Sequence, residues 1–317
     1  MNLGDNNTIP TFPVFKKLLL SDREFFIEYT RRFLPYSDSN FTSLWTWNIE
    51  EQVEISILNG NLVILFQDYL TREPFFYFMG TEQVVETITT LLAEAAKRGY
   101  TPQLKLIGQE VITALQQEIQ GNNSLSFIYS EDEDQHDYVY DMQLLSTMSG
   151  KKLRGKKNFI NRFEKVYAQE AKIIRLDLSD KAIQEKIIRL FLRWANESQQ
   201  DTTETANELQ AIGRLLLHQD QFSLHAVGIF IDSELIAFAI NEFVTEEYVI
   251  NHYQKAITSY VGVYPFLMQA MNQCYVQKGY RYMNAEQDLG LPGLRKSKQA
   301  YQPIFQLKKY RITSATE

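Results

Sequence analysis

Apolar and polar positions alternate along the chain in two rhythms, one helical and one strand-like, and the same succession of rhythms occurs twice. Ser21-Asp22-Arg23-Glu24 has the form of a capping box, and Phe25, Phe26, Tyr29 and Phe33 follow at helical spacing, which predicts a first helix. Val53, Ile55 and Ile57 then alternate with polar neighbours. Asn59-Gly60 suits a type I′ turn, and residues 62–66 return as a second strand. Residues 75–79 read as a buried strand. Thr81 is placed to cap a helix with Val84, Val85, Ile88, Leu91, Leu92 and Ala95 on one face, stopped by Gly99. A strand over 103–107 and a short helix over 111–119 complete this set.

The acidic stretch 131–137 reads as an exposed boundary. Residues 138–145 are strand-like, and the basic segment after them turns helical. The order then recurs. Asp180 can cap a helix carrying Ile183, Ile187, Ile188, Phe191 and Trp194, and the polar residues 199–208 are a loop or the start of another helix. Residues 222–231 and 235–240 form a strand pair turning at Asp232-Ser233. A strand over 248–253 and a helix over 263–276, ending at Gly279, follow. Both helix exits read alike, Lys97-Arg98-Gly99-Tyr100 and Gln277-Lys278-Gly279-Tyr280, each ahead of a strand. Matching order with drifting spacing predicts a tandem repeat of two domains, 1–137 and 138–317. Each mixes helices with a largely antiparallel sheet, an α+β fold, or α/β in looser usage.

Composition narrows the classes. The 317 residues are 44% hydrophobic and 22% charged, enough for two cores and far from a disordered or fibrous chain. The single cysteine, Cys274, has no disulfide partner, and it and the four histidines show no metal-ligand spacing, so no metal is expected. No leader pattern opens the chain and no apolar run approaches the ~20 residues of a membrane span. A cytoplasmic protein without a transmembrane segment is expected, peripheral to the membrane at most. The net charge of −7 argues against general nucleic-acid coating. Charge is segregated, however. Gly150–Arg162 and Gly293–Arg311 each carry six basic residues and no acid, which suggests either one local site for an anionic ligand or two solvated faces.

The densest polar segment runs from Tyr282 to Pro303. A short strand ends, Glu286 and Asp288 appear, glycines bend the chain, and Arg295, Lys296 and Lys298 follow. Carboxylates beside cations at a strand end can be tuned for acid–base work, or can simply order a loop. Lys255 ends a probable central strand, where a lysine either snorkels outward or faces a polar cleft. There it could neutralise an oxyanion or hold a phosphate. His252, three residues earlier on the same strand, is expected on the opposite face as a core histidine. Glu242, ending another strand, is a candidate base. Gly262, before the next helix, could present backbone amides to an anion, although one glycine falls short of a pyrophosphate motif. Trp45 and Trp47 read as core. Nucleophile elbow, P-loop and dinucleotide fingerprint are all absent.

Several of these residues also carry a family resemblance. Tyr138-Val139-Tyr140, the run Leu145–Lys152, Lys156-Lys157-Asn158, Lys255-Ala256, Gly262-Val263-Tyr264, Asn284–Gly290, Gly293–Lys296, Lys298 and Tyr301-Gln302-Pro303 resemble the bacterial family related to the C-terminal domain of phosphatidylglycerol lysyltransferase. The resemblance spans 15–310 and implies two GNAT-like acyltransferase domains in tandem, with the active site in the second. It implies aminoacyl transfer from charged tRNA to a lipid or small-molecule acceptor, with no metal and no bound organic cofactor. Ala285 stands where the family is expected to carry arginine. On that reading Lys255 stabilises the oxyanion, and Glu286 or Asp288 deprotonates the acceptor or binds the donor's α-ammonium. Arg295, Lys296, Lys298, Lys151, Lys152, Lys156 and Lys157 hold donor phosphates, beside Tyr301. Two other readings stand: an acyl-CoA-dependent N-acyltransferase binding its donor at Gly262, and a non-catalytic ligand-binding module.

Overall fold

Asn59 and Gly60 both take positive φ, 54° and 82°, as a type I′ turn requires, and they join the first long hairpin. The computed structural model describes residues 8–68, 71–120, 127–198 and 203–314. The chain divides into two compact units, residues 1–136 with 307–317, and residues 137–306.

The first unit contains β1 (Lys16–Lys17), α1 (Arg23–Thr30), α2 (Phe41–Trp47), β2 (Glu54–Leu58), β3 (Asn61–Gln67), β4 (Pro74–Met79), α3 (Val84–Lys97), β5 (Gln103–Gly108), α4 (Gln109–Glu118) and β6 (Phe127–Glu131). The second contains β7 (Asp137–Asp141), α5 (Met142–Thr147), α6 (Arg154–Tyr167), β8 (Ala171–Leu176), α7 (Lys181–Glu197), α8 (Thr203–Leu217), β9 (Leu224–Ile231), β10 (Glu234–Phe243), β11 (Tyr248–Ala256), α9 (Val263–Val276), β12 (Tyr282–Asn284), α10 (Pro292–Gln299) and β13 (Phe305–Leu307). The last strand, β14 (Lys309–Ser314), returns to the first unit.

The sheet orders show the duplication directly. One sheet runs β1-β2-β3-β4-β5-β14-β6 and the other, read from its far edge, β8-β9-β10-β11-β12-β7-β13. In each, an antiparallel meander of four strands meets a fifth in parallel, β4 with β5 and β11 with β12. The sixth position is taken by an antiparallel strand from elsewhere in the chain, β14 on β5 and β7 on β12. The two seven-stranded sheets with flanking helices are thus two copies of one α+β arrangement. The boundary expected at 137/138 needs one change, since 309–314 complete the first sheet rather than ending the second domain.

Local signals were mostly realised, with exceptions of clear cause. Asp22, not Ser21, orders the start of α1, accepting from Leu19 N and from Lys16 Nζ at 2.8 and 2.6 Å. α3 starts at Val84 rather than after a Thr81 cap, because the Glu118 carboxylate takes the Val84 and Val85 amides. The strand at 138 stops at Asp141, whose side chain caps α5 by accepting from Leu144 N. Asp180 caps α7 as expected, through Ala182 N. The polar stretch 199–208 becomes α8 from Thr203, and 199–202 lie outside the described residues. Strand β8 has no counterpart in the expectation, because it is a mostly exposed edge strand without an apolar rhythm.

The second unit's core lies between its sheet and α5, α6 and α9. Met142, Leu145, Ile160, Phe163, Leu267 and Met271 pack there against Ile229, Ala237, Ala239 and Val249. α7 packs on β10 and β11.

Candidate active site

Strand β11 is irregular where it matters. Ile240 of β10 opposes Tyr253, but Asn241 opposes Asn251, so His252 is an extra residue in the register. Such a bulge re-aims the side chains on either side of it. Before it, Asn251 donates to Asn241 Oδ1, and Asn241 donates to Tyr275 of α9. After it, Lys255 turns to α7 and α8. A regular strand would have put Asn251 and Lys255 on one face and His252 on the other. The bulge instead brings Lys255 to the face of His252, whose ring meets Glu242 on the side away from α9.

β11 and β12 pair only from Tyr248↔Tyr282 to Ile250↔Asn284. β11 continues to Ala256 while the other chain leaves the sheet, and one side chain reaches back across the opening. His252 Nδ1 lies 3.3 Å from Glu286 Oε1, and its Nε2 lies 3.2 Å from Glu242 Oε2. Burial disfavours the imidazolium, but hydrogen bonds and charge from Glu242 and Glu286 outweigh that and lift the His252 pKa to about 9. Both ring nitrogens therefore donate at neutral pH. The side chains of Glu242 and His252 are buried, at 5% and 2% exposure, whereas Glu286 keeps 23%. Of these three side chains, Glu286 is the one that solvent reaches.

The Glu286 backbone is held as firmly as its side chain. Its φ is +60°, its amide donates to Asn284 Oδ1 at 2.7 Å, and its carbonyl accepts from Tyr138 N and Lys298 Nζ at 3.1 Å each. Asn284 is fixed in turn by Asp137, 2.9 Å from its amide nitrogen. Ala285 packs against the core at the site where arginine was expected, and its carbonyl is bonded by Lys298.

Asp288 is a different kind of carboxylate. It is fully buried and accepts from Arg295 Nε and Nη2 at 2.8 and 2.9 Å, from Tyr138 Oη at 2.6 Å and from Gly290 N at 2.8 Å. Burial raises its pKa, but these donors prevail and hold it below the usual aspartate value. Asp288 therefore clamps the β12–α10 loop. Arg295 and Lys298, expected on donor phosphates, are engaged in the same loop. Lys156 lies 4.0 Å over the Tyr301 ring, and burial lowers its pKa. Tyr301 packs edge-on against Tyr140, whose hydroxyl donates to Lys298 O. The two basic segments thus meet at Lys156 and Tyr301. Lys151, Lys152 and Lys296 are exposed and Lys157 half-buried. The rest of the second segment lies in the first unit, where Lys308, Lys309 and Arg311 pair with Glu131, Asp38 and Asp132.

Lys255 is paired rather than snorkelling. Its Nζ is 2.7 Å from Glu208 Oε1 and 4.2 Å from the centre of the Trp194 ring. An ammonium has three donors, and Glu208 takes one. Gly262 opens α9 with φ +95°, but a Cβ there would lie 2.1 Å from the Phe159 carbonyl oxygen of α6. The carbonyl of a neighbouring helix, not open space, faces this glycine. Sequence reasoning missed the role of His252, for which only a Glu–His–Glu composition scattered over 44 positions could have been a signal. Among the described residues no group of three His, Cys, Asp or Glu side chains could hold a metal ion, and no helix is long and apolar enough to cross a membrane.

Residues 30–313 match the family model for the phosphatidylglycerol lysyltransferase C-terminal domain. The chain belongs to that family. The family is named for a lysyltransferase, an acyltransferase, and the chain shares its fold with solved relatives. A conserved protein of unknown function from Bacteroides thetaiotaomicron superposes with a TM-score of 0.81 at 25% identity, covering 97% of this chain and all of that one. The L-PGS of Bacillus licheniformis superposes with a TM-score of 0.61 at 13% identity, covering 95% and 94%. An uncharacterised protein of Mycoplasmoides gallisepticum is 23% identical over 177 residues, and the match spans about half of that relative (55%) and of this chain (55%).

Proposed function

We propose that this family member is an aminoacyltransferase, drawing its donor from charged tRNA and passing the aminoacyl group to a hydroxyl or amine of a lipid or small molecule. The observation that carries the reading is the Glu242–His252–Glu286 array across the opening between β11 and β12. Glu286 already accepts from the His252 ring on one oxygen, and 23% of its side chain stays exposed to a ligand. Glu286 is suited to hold a cation, and an aminoacyl ester carries one, its α-ammonium, beside the reactive carbonyl. A simple acyl thioester has none there.

In the transfer the acceptor oxygen or nitrogen bonds to the ester carbonyl carbon. The ester C–O bond then breaks, and the acceptor's proton ends on the released ribose hydroxyl. Glu286 orients the aminoacyl group, His252 fixes Glu286, and Lys255 offers an N–H not taken by Glu208 to the developing oxyanion. Lys151, Lys152, Lys157 and Lys296 contact donor phosphates, while Asp288, Arg295, Lys298 and Tyr301 hold the loop that carries Glu286. An acyl-CoA donor is less favoured, because Phe159 of α6 occupies the space before α9 that a pyrophosphate would need.

The test supplies purified protein with tRNA charged with labelled amino acids, a total lipid extract and small amines, and follows the label. Transfer is expected from free aminoacyl-tRNA and not from its N-acetylated form. Glu286→Gln is expected to raise KM for the donor at least about tenfold, the loss of one charge-assisted contact. Equal use of N-acetylated donors, or transfer from acetyl-CoA alone, would discard the reading.

A further inference from the structure

Helix α7 buries one side, through Ile187, Leu190 and Phe191, and leaves the other to solvent. On the open side Lys181, Glu185, Arg189 and Leu192 fall at i, i+4, i+8 and i+11, one stripe of an α-helix, and all four are exposed. Gln184, near the start of α7, donates to the Leu216 carbonyl near the end of α8, so the two helices run antiparallel. Between them lies an open groove of about 630 Å³, lined at its middle by Ile188, Gly213 and Leu216. A Cβ at Gly213 would meet nothing within 4 Å. Two large apolar side chains flank the groove without cover, Leu192 at 47% exposure and Leu217, at the end of α8, at 68%. Among the described residues Glu185 and Arg189 take part in no ion pair.

We propose that α7 and α8 are a dimer interface, pairing with the same two helices of a second copy about a two-fold axis near Ile188. A two-fold interface has to be complementary to itself. The stripe on α7 meets that condition. With antiparallel α7 helices and the axis midway between Glu185 and Arg189, each Glu185 faces the partner's Arg189, and one sequence supplies two ion pairs. Leu192 then comes opposite the start of the partner's α7, beside the partner's Leu217, and Ile188 turns toward the axis. The four helices form an antiparallel bundle, in which each groove is filled by the other copy. Charge selects this occupant, because the stripe alternates cation, anion, cation. A surface of one sign, nucleic acid or an anionic leaflet, would press on Glu185 at its centre. The 17 residues of α7 and 15 of α8 present a patch of roughly 25 by 20 Å, about 500 Å² per copy. That lies at the low end of specific interfaces and implies a dimer that dissociates on dilution. The same helices hold Lys255, through Trp194 and Glu208, so the pairing braces that ammonium from outside. It involves no group of the Glu242–His252–Glu286 array and can be measured without donor, so it stands or falls apart from the transferase reading.

The experiment is analytical ultracentrifugation of the full chain over about 1 to 100 µM, the range of a weak interface. A monomer–dimer equilibrium is expected there, shifted toward monomer as salt rises. Glu185→Arg and Arg189→Glu, each made alone, put like charges across the axis and should raise the dissociation constant at least about tenfold. Made together they restore opposite charges, and the dimer should return. Leu192→Lys with Leu217→Lys should raise the constant by a similar factor, about tenfold or more. All four side chains are exposed, so circular dichroism and thermal unfolding should stay close to the parent. The proposal is overturned if the chain is monomeric throughout, or if the single reversals or the lysine pair leave a dimer intact. A double reversal that fails to restore the dimer overturns it equally.

Discussion

His252 bears a charge in a place where burial alone would remove it, and the two glutamates that maintain the charge also make it a pH-dependent contribution to stability. Its folded pKa, about 9, lies above the ordinary histidine value of about 6.5. The contribution is therefore complete below about pH 6.5 and is lost as pH rises through about 9. Urea unfolding should show stability falling between pH 7 and 9.5 by up to about 3 kcal/mol, with Glu286→Gln flattening that decline. A parent curve that is flat across this window would mean the imidazole is neutral. At this scale the sequence was only partly legible. Glu286, Lys255 and Glu242 stood out as polar groups at strand ends. The face they share depends on one inserted residue in β11, and a bulge leaves no mark in hydrophobic alternation.

Two helices, α6 and α9, cross at Gly262, and the crossing explains a glycine that sequence alone assigned to anion binding. Left-handed φ and a carbonyl 2.1 Å from any Cβ both demand glycine there. Gly262→Ala should destabilise the protein by about 3 kcal/mol or more, from backbone strain together with separation of the helices. Gly155, inside α6, has nothing within 4 Å of a Cβ, so Gly155→Ala should stabilise by about 0.5 kcal/mol. Thermal denaturation of the two variants should move in opposite directions. Elements with a strong period, such as α3 and α9, could be read from the chain almost to the residue. The edge strand β8 could not, because its alternation is lost where both faces meet water.

The duplication belongs to the whole molecule, and its order of elements was visible while its pairing was not. Lys309–Ser314 reads as a strand, but nothing in those residues names β5 and β6 as neighbours. The assignment depends on contacts remote in sequence, including Lys309 with Asp38 and Arg311 with Asp132. Deleting residues from 308 onward should therefore unfold the unit farther away in sequence. Amide exchange should lose protection in β2–β5 while β9–β11 stay protected. Uniform loss would mean the units unfold together, and uniform protection would mean β14 is dispensable.

That returning strand also sets a schedule for synthesis. When residue 136 has left the ribosome, the first sheet still lacks the strand that fills the gap between β5 and β6, and the inner edge of β5 stays open. Chains usually complete their leading domain first. Here the first unit is finished only after the second, some 170 residues later. A ribosome stalled inside the second half would hold out an unclosed sheet edge, the kind of surface on which chains aggregate. Folding of the first half is thereby tied to completion of the second, and a prematurely terminated chain would be cleared by proteolysis rather than accumulate as a stable fragment.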